Sequence, residues 1–353
     1  MKTLLVAAPL EGRSGVYRST YDLVASARSK GYDWSALIGM RPSAPPRLAP
    51  ETPGITEITI GRHGFDGVKE IRGALAEHPD FSRADVIVTL ITQSDLALSR
   101  TRLGVNQHWV AYLRGLPWPA RGEQSLPKSL VQWWVERRAL SRADDVWATT
   151  DVLADQVRLP RRPHIVPAGI PHTDRTHSGE LNSRSVAVWA GRLAVDKQPE
   201  LFAEAIRLSG VPGRVYGAGP LEASLVAAAP TNLEIAGWVG PDDLWAEAGI
   251  FVGTSYREAF GRSAVEAALH GVPIVIGTTY GAAPLLVTDR ELRRELVLEP
   301  SGATRWADAI GELWANDDLR RKASDHVRKN AESLTIGASV DRAVQRSIAI
   351  ALA

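Results

Sequence analysis

Three short segments in the second half of this 353-residue chain hold residue types whose spacing could do chemistry. The first, Gly191-Arg-Leu-Ala-Val-Asp-Lys197, sets two cations five residues apart just before a helical stretch. Fixed positive charge beside the free N–H donors of a helix start suits a diphosphate, although a solvated loop would show the same residues. The second, Gly217-Ala-Gly-Pro220, follows an apolar run and precedes a helix. It lacks the spaced third glycine of the dinucleotide fingerprint, so it fits a tight strand–helix turn as well as a nucleotide cradle. The third, Glu258-Ala-Phe-Gly-Arg-Ser-Ala-Val-Glu266, separates two carboxylates by seven residues and runs on to Gly271-Val-Pro273. A carboxylate can accept from two neighbouring hydroxyls, as a ribose or hexose diol presents them. Phe260 and Gly261, at the start of the helix carrying Glu266, would turn backbone N–H groups toward an anion or a sugar.

Residues of this kind need strand ends to hold them. The first half alternates apolar runs with helical stretches: Thr3–Pro9, then a helix over Val16–Lys30 closed by Gly31. Thr56–Ile60 precedes a helix at Gly67–Ala76, and Asp85–Ile91 precedes one starting near Ser94. Trp109–Leu113, a helix from about Leu126 to Ser141, Asp145–Thr149 and His164–Val166 follow. Residues 167–184, rich in Pro, Gly, Ser, Thr and His, form a linker. The alternation restarts with Ser185–Ala190, helix Pro199–Ser209, Arg214–Gly217 and helix Leu221–Ala229. Next come Asn232–Ala236, helix Asp242–Ala248, Ile250–Thr254, helix Arg262–His270 and Pro273–Ile276, with a helical end from about Thr304. The pattern predicts an α/β fold: two Rossmann-like, doubly wound parallel-sheet domains facing across a cleft. The expected boundaries are 1–170 and 171–334, with a terminal helix at about 335–353 packing back on the first domain.

Composition narrows the chemistry. There is no cysteine, which excludes a disulfide scaffold, a thiol nucleophile and a thiolate metal site. Met1–Pro9 lacks the length and cleavage site of a secretion signal, and no later run approaches ~18 apolar residues, so a cytoplasmic protein is expected. Net charge is +1, unevenly spread: 22 Lys and Arg against 17 Asp and Glu in residues 1–170, then 19 against 23. Arg137, Arg138, Arg142, Arg158, Arg161 and Arg162 cluster in the first half. They read as a solvated face, with an anionic acceptor or peripheral membrane contact left open. Nucleic acid is disfavoured at this charge without being excluded.

Residues 185–276 resemble the C-terminal domain of retaining GT-B glycosyltransferases of the family 4 type. GRLAVDK, GAGPLEASL and the run from Gly237 to Val275 stand in the family's order. Glu136–Val146 and Ile165-Val-Pro-Ala-Gly169 resemble, more loosely, the elements before and at its linker. The resemblance implies a nucleoside-diphosphate sugar donor, no other cofactor and no metal. It implies that Arg192 and Lys197 bind the diphosphate, Glu266 the ribose, and Glu258 with the backbone of Phe260 and Gly261 the transferred sugar. Gly15 matches the glycine whose backbone approaches the donor phosphate, and Trp238 and Val239 fall where backbone reads the base. Gly217 and Gly219 join the donor-binding set, with Arg192, Lys197 and Glu258 as its catalytic members. Arg114 stands where many relatives carry a histidine, Ala168-Gly169 replaces Asn-Gly, and a glutamate common after the Gly281 loop is absent.

The implied reaction passes a sugar to an acceptor hydroxyl (small molecule, glycan or lipid-linked) with anomeric retention. A nucleotide-sugar epimerase or hydrolase, or a non-catalytic sugar-nucleotide-binding protein, are the competing readings. The first would want acid/base groups, and His270 reads as structural. Arg114, paired with Glu123 or Glu136 or else gripping an acceptor anion, and Trp118 are the acceptor-side candidates. Trp133 and Trp134 are expected in the core.

Overall fold

The computed structural model of the chain describes residues 1–13, 15–45, 52–117, 126–171 and 186–352. They fall into two compact units, Met1–Pro171 with Ile336–Ala353, and His172–Thr335.

Unit 1 is built on strands β1 (Lys2–Leu10), β2 (Asp33–Met40), β3 (Ile55–Thr59), β4 (Val86–Thr89), β5 (His108–Leu113), β6 (Asp145–Ala148) and β7 (His164–Ile165). All pairings are parallel, in the order β3-β2-β1-β4-β5-β6-β7. Helices α1 (Val16–Ser29), α2 (Gly64–Glu77), α3 (Thr92–Leu98), α4 (Leu126–Leu140) and α5 (Asp151–Val157) form the connections. Covered strands need apolar side chains on both faces, and β1 reads that way: Thr3–Ala8 is buried without a break. β2, which the sequence reading passed over, is buried from Trp34 to Met40. Its Trp-Ser-Ala-Leu-Ile-Gly order shows neither alternation nor a dense β-branched run, so burial by neighbours decides it. The strand and helix α5 were the elements of unit 1 that patterning missed.

Unit 2 repeats the architecture with β8 (Val186–Ala190), β9 (Gly213–Tyr216), β10 (Leu233–Gly237), β11 (Ala248–Gly253), β12 (Ile274–Gly277) and β13 (Val297–Leu298). The order β10-β9-β8-β11-β12-β13 is again wholly parallel. Its helices are α6 (Pro199–Ser209), α7 (Glu222–Ala228), α8 (Pro241–Leu244), α9 (Arg262–Leu269), α10 (Ala283–Leu286), α11 (Arg290–Leu296), α12 (Ala303–Ala315) and α13 (Asp317–Ala331). α6 starts on Pro199 and stops at Gly210, whose φ of 70° a side chain would resist. The helix expected over Asp242–Ala248 is one turn shorter, because Ala248 already belongs to the buried strand β11. Both sheets reverse strand order once, between β1 and β4 and between β8 and β11. Open parallel sheets bind ligands beyond their carboxyl ends at such reversals.

The last helix, α14 (Ile336–Ala351), belongs to unit 1. Its first N–H donates to Ile170 O at 2.7 Å, and Ser339 donates to the Pro167 carbonyl. Gly169, at φ 70°, comes so close that a Cβ would stand 2.7 Å from the Ile336 Cα. Arg346 Nη2 reaches Asp145 Oδ2 at 2.9 Å, and His164 Nδ1 lies 2.9 Å from Oδ1. Burial alone would raise the Asp145 carboxyl; the Arg346 and His164 bonds hold it below its ordinary range.

Asp95 of α3 is buried and accepts from the Thr89 hydroxyl, which in turn accepts from Trp109 Nε1 at 2.8 Å. Burial pushes its carboxyl up to about 7. The folded chain therefore holds a proton that the unfolded chain sheds near pH 4. The stability this gives is complete below that value and is lost as pH rises through about 7. Asp95→Asn should shrink the fall in unfolding free energy between pH 5 and pH 8 by roughly 2–3 kcal/mol. Denaturant titrations at the two pH values check it.

Candidate functional site

The loops that leave β8 and β11 flank the strand reversal of unit 2, and both carry residues singled out by the sequence. Lys197, in a short 3-10 turn after β8, places Nζ 2.6 Å from Glu258 Oε2 in the loop after β11. Each side chain is about one-fifth to one-quarter exposed, so the pair is open on one side. Arg192 Nη2 lies 3.3 Å from Asp196 Oδ1, and Asp196 Oδ2 lies 3.8 Å from Lys197 Nζ. Asp196 thus stands between the two cations. Arg192 is exposed.

Thr254 fastens the two loops. Its hydroxyl donates toward the carbonyls of Lys197 and Gln198, at 3.0 and 2.8 Å, and accepts from Trp189 Nε1 at 3.0 Å. Tyr256 N–H donates to Asp196 O at 3.2 Å. Gln198, the next residue after Lys197, holds φ 49°, a conformation that costs a non-glycine residue roughly 1–2 kcal/mol. The Thr254 bonds fix that backbone.

Glu258 is held from its other side. Its carbonyl accepts from Gly281 N at 2.9 Å, and the Phe260 carbonyl accepts from Ala282 N at 2.9 Å. Tyr280, buried, packs so tightly on Gly261 and Gly253 that a Cβ on either would come 2.5 Å from its ring or hydroxyl. Burial raises the Tyr280 phenol, with the Glu258 carboxylate adding to it. Gly261, at φ 95°, precedes α9. Four residues along that helix, Glu266 lies 3.6 Å from Arg262 Nη2.

Gly217 and Gly219 serve a close approach of backbones. A Cβ on Gly217 would stand 1.8 Å from Gly191 O, and one on Gly219 would stand 2.4 Å from Leu193 O. Leu193 N donates to Ala218 O at 3.0 Å, and Gly217 N to Gly237 O at 2.7 Å, which binds three loops into one ridge. Trp238 and Val239 follow that ridge, with Trp238 77% exposed.

Gly15 and Arg114 belong to unit 1. Gly15 precedes α1 at φ 52° with open space around its missing Cβ. Arg114, half-buried, lays its guanidinium over the Tyr112 ring at 4.8 Å. Tyr112 donates to the carbonyls of Val166 and Pro167. Trp118 and Glu123 lie outside the described residues. Trp133 and Trp134 are not core residues: 37% and 59% exposed, they carry Arg137 and Arg138 over their rings at 5.2 and 5.8 Å. α4 buries its Glu136, Ala139 and Leu140 face instead. Arg142, Arg161 and Arg162 of the basic stretch are engaged within unit 1, with Ser99, Asp144 and Asp151. His270 stacks on buried Trp245, ring centres 6.4 Å apart. Among the described residues no group of three or more His, Asp or Glu could hold a metal ion, and no helix is long and apolar enough to cross a membrane.

Residues 184–316 match the sequence family described as glycosyl transferases group 1. That segment, a little over a third of the chain, resembles a group 1 glycosyltransferase domain. A D-inositol 3-phosphate glycosyltransferase of Nocardioides sp. is 26% identical over 270 residues, 64% of this chain and 58% of that protein. Its counterpart in Mycobacteroides abscessus is 29% identical over 246 residues, 61% of this chain and 55% of that one. The chain thus matches a little over half the length of these relatives. Sucrose-phosphate synthase from Thermosynechococcus elongatus superposes with a TM-score of 0.79 at 18% identity, covering 99% of each chain. Anabaena HepE, solved in complex with UDP and glucose, gives 0.74 at 15%, over 99% of this chain and 100% of that one. These superpositions show that the chain has the GT-B fold.

The clash at Gly217 yields an expected outcome. Gly217→Ala should destabilise unit 2 by roughly 1–3 kcal/mol, while Gly240→Ala, with only Asp243 Oδ2 at 3.9 Å, should do little. Thermal melts of the two variants decide it.

Proposed function

We propose that the chain transfers a sugar from a nucleoside diphosphate to an acceptor hydroxyl, retaining the anomeric configuration and using no metal ion. The observation that carries this reading is the Lys197–Glu258 pair at 2.6 Å, a cation and a carboxylate fixed together at the strand reversal of unit 2. Arg192 and Lys197 would hold the diphosphate, Glu266 the ribose, and Glu258 with the backbone of Phe260 and Gly261 the transferred sugar. Trp238 and Val239 lie where the base would rest, on the ridge shaped by Gly217 and Gly219. Gly15, in unit 1, would let its backbone approach the donor phosphate, and Arg114 would meet the acceptor.

The diphosphate leaves as an anion, so the largest demand is for charge already in place. Lys197, held by Glu258 and Asp196, meets that demand without reorganising. On this reading the acceptor enters on the leaving-group face and the departing phosphate takes its proton. The group 1 domain match supports the reaction class, and HepE's complex with UDP and glucose supports the donor class.

The deciding experiment incubates the full chain with a panel of nucleoside-diphosphate sugars and candidate acceptors in EDTA. Transfer should persist, and the coupling constant of the product's anomeric proton should match the donor's. Release of free sugar alone, inversion, or a strict need for Mg²⁺ or Mn²⁺ would contradict the corresponding part of the proposal. Within the site, Arg192→Ala or Lys197→Ala should weaken donor binding by ~10- to 150-fold, the equivalent of a charge-assisted hydrogen bond worth roughly 1.5–3 kcal/mol. Calorimetric titration with the nucleoside diphosphate reads this directly, and unchanged affinity in both variants would remove these residues from the site.

A further inference from the structure

Helices α2, α3 and α4 of unit 1 border a groove of about 650 Å³. Its walls are apolar, formed by Phe65, Val68, Leu96 and Val131, with Lys128 on the lining as well. Thr92, Gln93, Gln132 and Glu136 add polar side chains to the lining. Glu136 is only 3% exposed; its Oε1 accepts from Gln132 Nε2 at 2.8 Å, while its Oε2 has no hydrogen-bond partner. Gln93 Oε1 is likewise buried and without one. A buried oxygen left without a hydrogen bond is destabilising, and leucine at position 136 would avoid that. The residues from α2 and α3 lie in the first turns of helices that follow β3 and β4, at the carboxyl end of the sheet where ligands bind. The volume is that of a small-molecule site.

We infer that this groove binds an uncharged, largely apolar organic molecule that donates a hydroxyl or N–H to Gln93 Oε1 and meets Glu136 at Oε2. Burial pushes the Glu136 carboxyl up to about 8, with Asp95 behind it adding to the effect, so the protonated acid faces the groove at neutral pH. The acid hydroxyl, on Oε2, is a donor to the ligand; a neutral floor suits a neutral molecule, and the bare Gln93 amide oxygen disfavours a phosphate or carboxylate beside it. If the transfer reading holds, the occupant is the acceptor, which makes the acceptor an apolar alcohol or its like; the groove's own chemistry does not depend on that reading.

N-Phenyl-1-naphthylamine, a neutral fluorescent probe with one N–H donor, tests the site on the full chain. Saturable binding is expected, with a roughly 2- to 10-fold preference over the N-methylated probe. Val131→Asp, at a position already exposed and so safe for the fold, should weaken binding roughly 10-fold or more. Gln93→Leu should bind both probes and lose much of the preference. No saturable binding, binding untouched by Val131→Asp, or equal affinity of the wild type for the two probes would overturn the inference. A parallel titration with UDP and GDP keeps the two readings apart. Nucleotide binding without probe binding removes the groove and spares the donor site; probe binding without nucleotide binding does the reverse.

Discussion

The Lys197–Glu258 contact joins two loops that are 61 residues apart in sequence and neighbours only because the sheet of unit 2 reverses its strand order between β8 and β11. A pair this exposed adds little to stability, about 0–1 kcal/mol. Its importance is positional. The bond defines where a cation and a carboxylate sit, and the uncharged contacts around it carry the mechanical load. Trp189 anchors Thr254, Thr254 holds the Lys197–Gln198 backbone, and Tyr280 wedges against the glycines on either side of Glu258. Removing a charge from this arrangement changes chemistry; removing a glycine or the threonine changes geometry.

The strand–helix alternation of both units, β2 and β13 excepted, and Lys197 and Glu258 as candidate residues were legible because they depend on local signals. Buried parallel strands show as unbroken apolar runs, and the cations and glutamates fall in loops at their ends. Thr254, Asp196 and Tyr280 were not legible as supports. Nothing about a threonine in Gly-Thr-Ser-Tyr announces that it will meet a tryptophan 65 residues earlier, and that contact exists only once β8 and β11 lie side by side. The glycines at 217 and 219 were ambiguous for the same reason, since a tight turn and a close approach ask for the same residue. Trp133 and Trp134 misled in the other direction. Tryptophan usually marks a core, but α4 turns its Glu136, Ala139 and Leu140 face inward and leaves both indoles outside.

The two units use one architecture for opposite purposes. At the strand reversal of unit 2 the carboxyl edge gathers formal charges and keeps them partly wet, where they can exchange partners at modest cost. The helices of unit 1 instead enclose buried carboxyls, Asp95 and Glu136, whose low-dielectric surroundings favour the neutral form. Equal backbone topology thus supports a polar surface in one half and an apolar recess in the other, and side chains alone make the difference.

The return of α14 to unit 1 has a consequence for how the chain is made. Gly169 fits only against Ile336, and Asp145 in β6 waits for Arg346 near the end of the sequence. A chain emerging from the ribosome therefore exposes all seven strands of unit 1 long before their last covering helix exists. Unit 2, continuous in sequence, can close completely in that interval. The half that begins first finishes last, and until it does, the α1 surface that α14 covers is the apolar face that a chaperone would have to shield.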